Sequence, residues 1–215
     1  GGKLAADTSG VLEAAGFSAD GTLVSNQDLA VSLTQDIVNN GEVVANGNLS
    51  YGTTGNLTNN GKLLARQTLT VSGHVVNNTA SGEMSGMNTV VNAATLENRG
   101  LIDSAGTTRI NAGVLNNVGT GRIYGDRVGI AAGTLNNRAH ALIFSAGDMS
   151  IGATLDADGK ATGRAGTLNN ASATIESLGS MTLAANAIYN IDAQMKVVRV
   201  EGPTVNAPAT IIPVG

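Results

Sequence analysis

The sequence predicts an all-β fold, a right-handed parallel β-helix with turns of about 20 residues. The first observation is a repeat, in which an aliphatic residue is followed two positions later by asparagine and often, two further on, by glycine. The asparagines recur at intervals of 20, 19, 20, 19, 20, 33 and 20 residues, and a fixed period of this length is typical of solenoids. The repeated asparagines are Asn39, Asn59, Asn78, Asn98, Asn117, Asn137, Asn170 and Asn190.

The second observation is a period of two within each repeat. Ile175 and Ser177 fall on one side of an extended chain and Glu176 on the other, which is the pattern of a short, half-buried strand. A repeat this short has no room for a strand–helix–strand crossover. Each strand is therefore expected to pair with its equivalent one turn along, about 4.8 Å away, and about ten turns would give a rod about 45–50 Å long. Parallel β connections favour the right-handed sense.

The third observation is the kind of apolar residue. Hydrophobic residues make up 42% of the chain, but aromatic residues only 2%, and tryptophan is absent. A globular core of this size normally contains several large rings. Stacked small aliphatic residues suit the narrow core of a solenoid instead.

The repeated asparagine has a predicted structural role. Stacked at the same corner of successive turns, each side-chain amide can donate a hydrogen bond to one neighbour and accept one from the other, as in cross-β stacks. Asparagine also tolerates the left-handed backbone that a sharp corner can require. We therefore expect an asparagine ladder along one corner.

The period divides the chain into three parts. Residues 1–36 fit it poorly and are interpreted as degenerate turns, and residues 37–192 form the regular repeat. The 33-residue interval predicts an inserted loop at 154–166, and insertions in solenoids are often on the functional face. Residues 193–215 contain all three prolines and are predicted to be a terminal strand or cap, or a linker.

Composition excludes several classes of function. Charged residues are 13% of the chain with a net charge of −4, and no basic run is present, so we expect no nucleic-acid partner. The absence of cysteine excludes disulfides and thiolate chemistry. No apolar run reaches the length of about 18 residues that a transmembrane helix needs. Because the chain starts with Gly1 rather than methionine, we interpret it as a piece of a longer protein.

The sequence contains no clear constellation for chemistry, so we predict no catalytic, cofactor or metal site. His74 and His140 lie in different repeats without ligands at metal-binding spacing. Asp156-x-Asp158-Gly159 is similar to the start of a calcium loop, but the closing glutamate is missing, and a plain turn is the favoured interpretation. Acidic residues recur in successive turns without an accompanying basic cluster or aromatic platform for sugars; they are Glu83, Asp103, Asp126, Asp148 and Glu176.

The repeats resemble those of filamentous haemagglutinin, found in large two-partner-secreted exoproteins of Gram-negative bacteria. The resemblance is carried by L-x-N-x-G-x-I-x-A/S units at 37–45, 57–65 and 96–104, followed by A-G-D-M-x-I at 146–151. Residues 155–163, 173–177 and 189–191 further resemble the repeat region of contact-dependent growth inhibition proteins. The resemblance implies a non-enzymatic stalk segment of a secreted, cell-surface filament that presents an adhesin or delivers a toxin to neighbouring bacteria.

The same resemblance implies two partners, an outer-membrane transporter during secretion and a receptor on a target-cell surface. Three alternatives remain open. This segment could itself bind the receptor, through the C-terminal tail or through the charged residues of the inserted loop, Asp156, Asp158, Lys160 and Arg164. It could be a β-helix enzyme acting on carbohydrates, or the secretion domain that begins such exoproteins, although the N-P-N-G motif of that domain is not present.

Overall fold

The computed structural model describes residues 2–193, and this part of the chain is built from strands without a helix. In chain order the strands are β1 (Lys3–Ala6), β2 (Gly10–Ala14), β3 (Ser18–Ala19), β4 (Thr22–Ser25), β5 (Leu29–Leu33), β6 (Ile37–Asn39), β7 (Glu42–Ala45), β8 (Leu49–Thr53), β9 (Leu57–Asn59), β10 (Lys62–Ala65), β11 (Thr68–Asn78), β12 (Glu83–Gly86), β13 (Asn88–Asn98), β14 (Leu101–Ser104), β15 (Thr107–Val118), β16 (Arg122–Gly125), β17 (Arg127–Arg138), β18 (Leu142–Ser145), β19 (Met149–Gly152), β20 (Thr154–Leu155), β21 (Ala161–Thr162), β22 (Ala165–Ala171), β23 (Thr174–Ser177), β24 (Met181–Leu183) and β25 (Ala185–Ile191).

The strands stack into a parallel β-solenoid of about nine turns, as the period predicts. Face one is a nine-stranded sheet in the order β1-β4-β7-β10-β12-β14-β16-β18-β23. Face two has the order β2-β5-β8-β11-β13-β15-β17-β19-β24, and face three contains β3, β6, β9, β22 and β25. The long strands β11, β13, β15 and β17 run through both faces, which joins faces two and three into one sheet.

The register between turns is constant over most of the stack. On face one, Leu63 pairs with Val43 on one side and with Met84 on the other. A slip by one residue would turn every inward side chain outward, so the buried aliphatic positions hold the register. Every pairing between turns is parallel; the antiparallel pair β20–β21 lies within the inserted segment.

The core is a narrow column of aliphatic side chains, one or two from each face of each turn. Burial of one such leucine stabilises the fold by about 1.5–3 kcal/mol relative to exposure. Tyr51 is the one aromatic ring among the buried core residues in the described part of the chain. The inward row of face one is Leu23, Val43, Leu63, Met84, Ile102, Ile123 and Ile143.

The glycine of the repeat is explained by close approach of neighbouring turns. A Cβ added to Gly41 would overlap the carbonyl oxygen of Gly21, and one added to Gly61 would overlap that of Gly41. Neither Gly41 nor Gly61 has a positive φ. The corner therefore needs glycine for lack of space, and left-handed geometry plays no part at these two positions.

The first turns are regular in backbone but differ in side chains. The four residues of β1 pair in register with Thr22–Ser25 of β4. On face three, β3 is only two residues long and places Ala19 opposite Asn39, so the asparagine motif is absent there. The predicted strand, cap or linker at 193–215 falls almost entirely on 194–215, outside the described residues.

Candidate functional site

The eight repeated asparagines form a continuous hydrogen-bonded ladder along the edge of face three. In each step the Nδ2 of one asparagine donates to the Oδ1 of the asparagine one turn further on. The Asn39–Asn59 distance is 2.8 Å and the Asn117–Asn137 distance is 2.9 Å. The full ladder runs Asn39, Asn59, Asn78, Asn98, Asn117, Asn137, Asn170 and Asn190, with seven bonds in one direction.

Each of the first seven amides also donates to a backbone carbonyl. Asn39 donates to the Lys62 oxygen at 3.3 Å and Asn117 to the Leu142 oxygen at 3.1 Å. Asn170 differs because its acceptor, the Ala173 oxygen at 3.1 Å, lies in its own corner. The ladder therefore ties the end of face three to the start of face one while satisfying buried amides that would otherwise be costly.

The ladder asparagines are strand residues with their side chains turned inward. None of them has a positive φ, so the tolerance of asparagine for left-handed backbone plays no part at these positions. Among the described non-glycine residues, a positive φ is found at Ala139, His140 and Ser172. These residues lie in the longer corners after Asn137 and Asn170. Burial is complete from Asn39 to Asn137, and from Asn59 onward each buried amide has an asparagine partner in the turn on either side.

The ladder begins at Asn39 because the preceding turn has no asparagine at the equivalent position. The Oδ1 of Asn39 is buried and accepts no hydrogen bond within the described residues. The residue paired with it is Ala19, which is itself buried. One acceptor of the ladder is consequently left unsatisfied at this end.

A second, exposed column of polar side chains follows the same corner. Asn60 donates to Asn40 at 2.7 Å, and Asn40 donates to Asp20 at 2.6 Å. A similar contact is made by Asp36, whose carboxylate accepts bonds from the backbone N–H and the side-chain amide of Asn56 at 2.8 and 3.2 Å. These two hydrogen bonds lower the pKa of Asp36, and the bond from the backbone N–H has the larger effect. The outer surface thus repeats the bonding of the ladder in contact with water.

The inserted segment is a short hairpin that occupies residues 153–164, because Ala165 already belongs to strand β22. Its two strands pair at Thr154–Thr162, where the hydroxyls are 3.0 Å apart. At its tip, the Asp156 carboxylate accepts bonds from the backbone N–H groups of Asp158 and Lys160 at 3.0 and 2.9 Å. Asp156 therefore acts as a turn cap.

The hairpin lies flat against the outer side of face two. Arg109 donates to the Asp158 carbonyl at 3.2 Å, and the Ala161 N–H donates to Ser150 Oγ at 2.7 Å. Gly129 allows the close approach, because a Cβ there would overlap the carbonyl oxygen of Gly159. A cleft of about 190 Å³ remains beside the hairpin. The structure brings the predicted contact residues together on this one exposed segment: Asp156, Asp158, Lys160 and Arg164.

The outer side of face one carries an aromatic pair that the sequence analysis missed. Tyr124 and Phe144 are paired in register on β16 and β18, with ring centroids 6.2 Å apart and an interplanar angle of 82°. Asp103, Asp126 and Glu176 line the same shallow groove. One signal was present in the sequence, since Tyr124 and Phe144 are 20 residues apart, which is one turn.

The remaining acidic and histidine candidates do not gather into a site. Glu83 is engaged by Lys62 in an ion pair at 3.7 Å, and Asp148 accepts a bond from the Ser180 N–H at 2.8 Å. Neither His74 nor His140 makes a side-chain hydrogen bond within residues 2–193. In the same part of the chain, no group of three or more histidine, cysteine or acidic side chains could hold a metal ion, and no helix could cross a membrane.

The geometry defines a class of protein, a β-solenoid whose turns are joined by an aliphatic column and an asparagine ladder. The family model for the haemagglutinin repeat matches residues 1–61, 44–128 and 130–194, nearly the whole described chain. The chain therefore belongs to the haemagglutinin repeat family. Neither a curated protein nor a solved structure shows a significant match to it.

Proposed function

We propose that this chain is a stalk segment of a large secreted filament at the surface of a Gram-negative bacterium. The observation that carries the proposal is the continuous stacking of about nine turns around one core, with one asparagine ladder from Asn39 onward. Such a solenoid is stabilised by contacts between neighbouring turns, so its length can increase without a change of fold. The filament presents an adhesin or delivers a toxin by contact with neighbouring cells, and an outer-membrane transporter exports it.

A structural role agrees with the chemistry of the described residues. The ladder amides bond to one another and to backbone carbonyls. Of the acidic residues recurring on successive turns, Glu83 joins an ion pair and Asp148 caps a turn, while Asp103, Asp126 and Glu176 line the outer groove. Glycoside hydrolysis needs two carboxyl groups about 5–10 Å apart on either side of the bond that breaks, whereas Asp103 and Glu176 in the outer groove are three strand steps, about 14 Å, apart. We therefore propose no enzymatic activity.

The stalk proposal can be tested by deletion of one whole turn in the gene that encodes this chain. Removal of residues 79–98 joins Asn78 to Arg99 and lets β10 stack on β14, because each pair of neighbouring turns has the same register. We expect surface display and contact-dependent activity to survive. Removal of the half-turn 89–98 is the control and should abolish display. Loss of contact activity in a displayed whole-turn deletion would contradict a pure stalk.

A second candidate function, receptor binding, is favoured by the hairpin. It is anchored on Arg109, Gly129 and Ser150, so its exposed charges are held in one place. Binding of the labelled chain to whole Gram-negative cells tests this function, and a variant that lacks residues 153–164 is measured in parallel. In that variant Gly152 is bonded directly to Ala165, in the same way as Ala131 is bonded to Ala132 in the preceding turn. Saturable binding lost on deletion would support a receptor contact. Absence of binding by both folded forms would favour the stalk.

A further inference from the structure

The outer side of face one contains a groove of unusual composition between β14 and β23. Tyr124 and Phe144 lie at its centre on adjacent turns, and Phe144 is paired with Glu176 on the next turn. Ile102 pairs with Ile123, and the next residues along the two strands are Asp103 and Tyr124. Asp103 therefore lies one turn before Tyr124 in the same outward row. The row therefore reads acidic, aromatic, aromatic, acidic along the solenoid axis. Two of the five aromatic residues of the chain are concentrated here.

The groove has unpaired negative charge. Within residues 2–193, the side chains of Asp103, Asp126 and Glu176 join no ion pair and no hydrogen bond, and no lysine or arginine lines the groove. The nearest arginine in register, Arg122, is turned to the corner, where its guanidinium donates to the carbonyl oxygens of Gly119, Gly121 and His140 at 3.3, 3.0 and 3.2 Å. The Nη1 of Arg122 is thus engaged with the corner and not with the carboxylates.

We propose that this groove is a docking surface for an extended, basic segment of a partner protein. Aromatic faces attract lysine and arginine side chains, and the flanking carboxylates supply complementary charge. An occupant lying along the solenoid axis crosses the strands, which are about 4.8 Å apart. The three steps from Asp103 to Glu176 span about 14 Å, close to the span of four residues of an extended chain at about 3.3 Å each.

The spacing defines the occupant more closely. Residues i, i+2 and i+4 of an extended segment share one side. Basic residues at i and i+4 would therefore reach Asp103 and Glu176, while an apolar residue at i+2 lies over Tyr124 and Phe144. This surface is on face one and is separate from the hairpin on face two, so the inference stands independently of the stalk and receptor proposals.

The test is a titration of the complete 215-residue chain with the synthetic peptide acetyl-Lys-Ser-Leu-Ser-Lys-amide. Binding is monitored through the NMR chemical shifts of the Tyr124 and Phe144 rings. We expect saturable shifts at these rings. The affinity derived from them should weaken by about tenfold or more when the salt concentration is raised from about 0.02 to about 0.5 M. The double variant Asp103→Asn/Glu176→Gln should lose about tenfold in affinity and most of the salt dependence. The variant Asp7→Asn/Glu13→Gln has the same change of charge in the first turns and should bind normally.

Several outcomes would overturn the proposal. One is equal binding of the acidic peptide acetyl-Glu-Ser-Leu-Ser-Glu-amide, and another is unchanged affinity in Asp103→Asn/Glu176→Gln. The proposal would also be overturned if the basic peptide caused no ring shifts at low salt, or if it shifted only the signals of other residues. Ring shifts with maltohexaose but none with the basic peptide would assign the groove to neutral sugars instead. Thermal denaturation of each variant establishes that the comparison is between folded proteins.

Discussion

The asparagine ladder makes a sharp prediction at its centre, where Asn117 is replaced by leucine. The substitution keeps the approximate size of the side chain and removes three hydrogen bonds. These are the bond from Asn98 at 2.8 Å, the bond to Asn137 at 2.9 Å and the bond to the Leu142 carbonyl at 3.1 Å. All three asparagines are fully buried, so water cannot replace the lost partners.

The expected loss of stability follows from the groups left behind. The Oδ1 of Asn137 loses its donor, and one N–H of Asn98 loses its acceptor, although Asn98 retains the Arg122 carbonyl at 3.3 Å. A buried polar group left unsatisfied costs about 1–3 kcal/mol, and the added apolar burial of leucine offsets part of this. We expect a net loss of about 3 kcal/mol, which corresponds to a decrease in Tm of about 6–12 °C for a chain of this size.

The matched control is Asn40→Leu. Asn40 makes the same kind of contact, accepting from Asn60 at 2.7 Å and donating to Asp20 at 2.6 Å, but its side chain is exposed. Water replaces these bonds, so we expect a change within about 0.5 kcal/mol. Urea and thermal denaturation followed by circular dichroism would measure both variants. A stability of Asn117→Leu equal to that of the parent, or an equal loss in Asn40→Leu, would refute the argument from burial.

Three further predictions concern stability and can be measured by the same denaturation experiments. Ala19→Asn should raise stability by about 1 kcal/mol, because the new amide can donate to the unpartnered Asn39 Oδ1; a loss would contradict this. Gly61→Ala should cost about 3 kcal/mol or more through backbone overlap, whereas Gly16→Ala, which meets only a glutamine side chain, should be tolerated. Burial raises the pKa of Tyr51 to about 12 from 10.0, so stability should fall as the pH rises from about 10 through 12. Tyr51→Phe should remove that component and, since the buried hydroxyl has no partner, should not destabilise at neutral pH.

The period predicted the solenoid because the same physical requirement recurs in every turn. Leu115 and Asn117 face inward in one turn as Leu135 and Asn137 do in the next, so a motif visible in sequence corresponds to one row in space. The intervals also indicated the insertion, since a stack of constant register must loop out extra residues. The glycine was visible in the repeat as well, but the reason for it was not. Its reason, the neighbouring carbonyl, involves an atom of the preceding turn.

The sequence by itself determined the fold class, the length of a turn, the identity of the ladder and the presence of an insertion, because each depends on residue type and spacing along one chain. Only the tertiary structure decided which side of the solenoid each exposed residue occupies. It placed the hairpin on Arg109 and Gly129, and it placed Tyr124 beside Phe144 between two acidic residues. These contacts join residues from different turns, and the stacking of turns, which burial of the aliphatic column drives, brings them together.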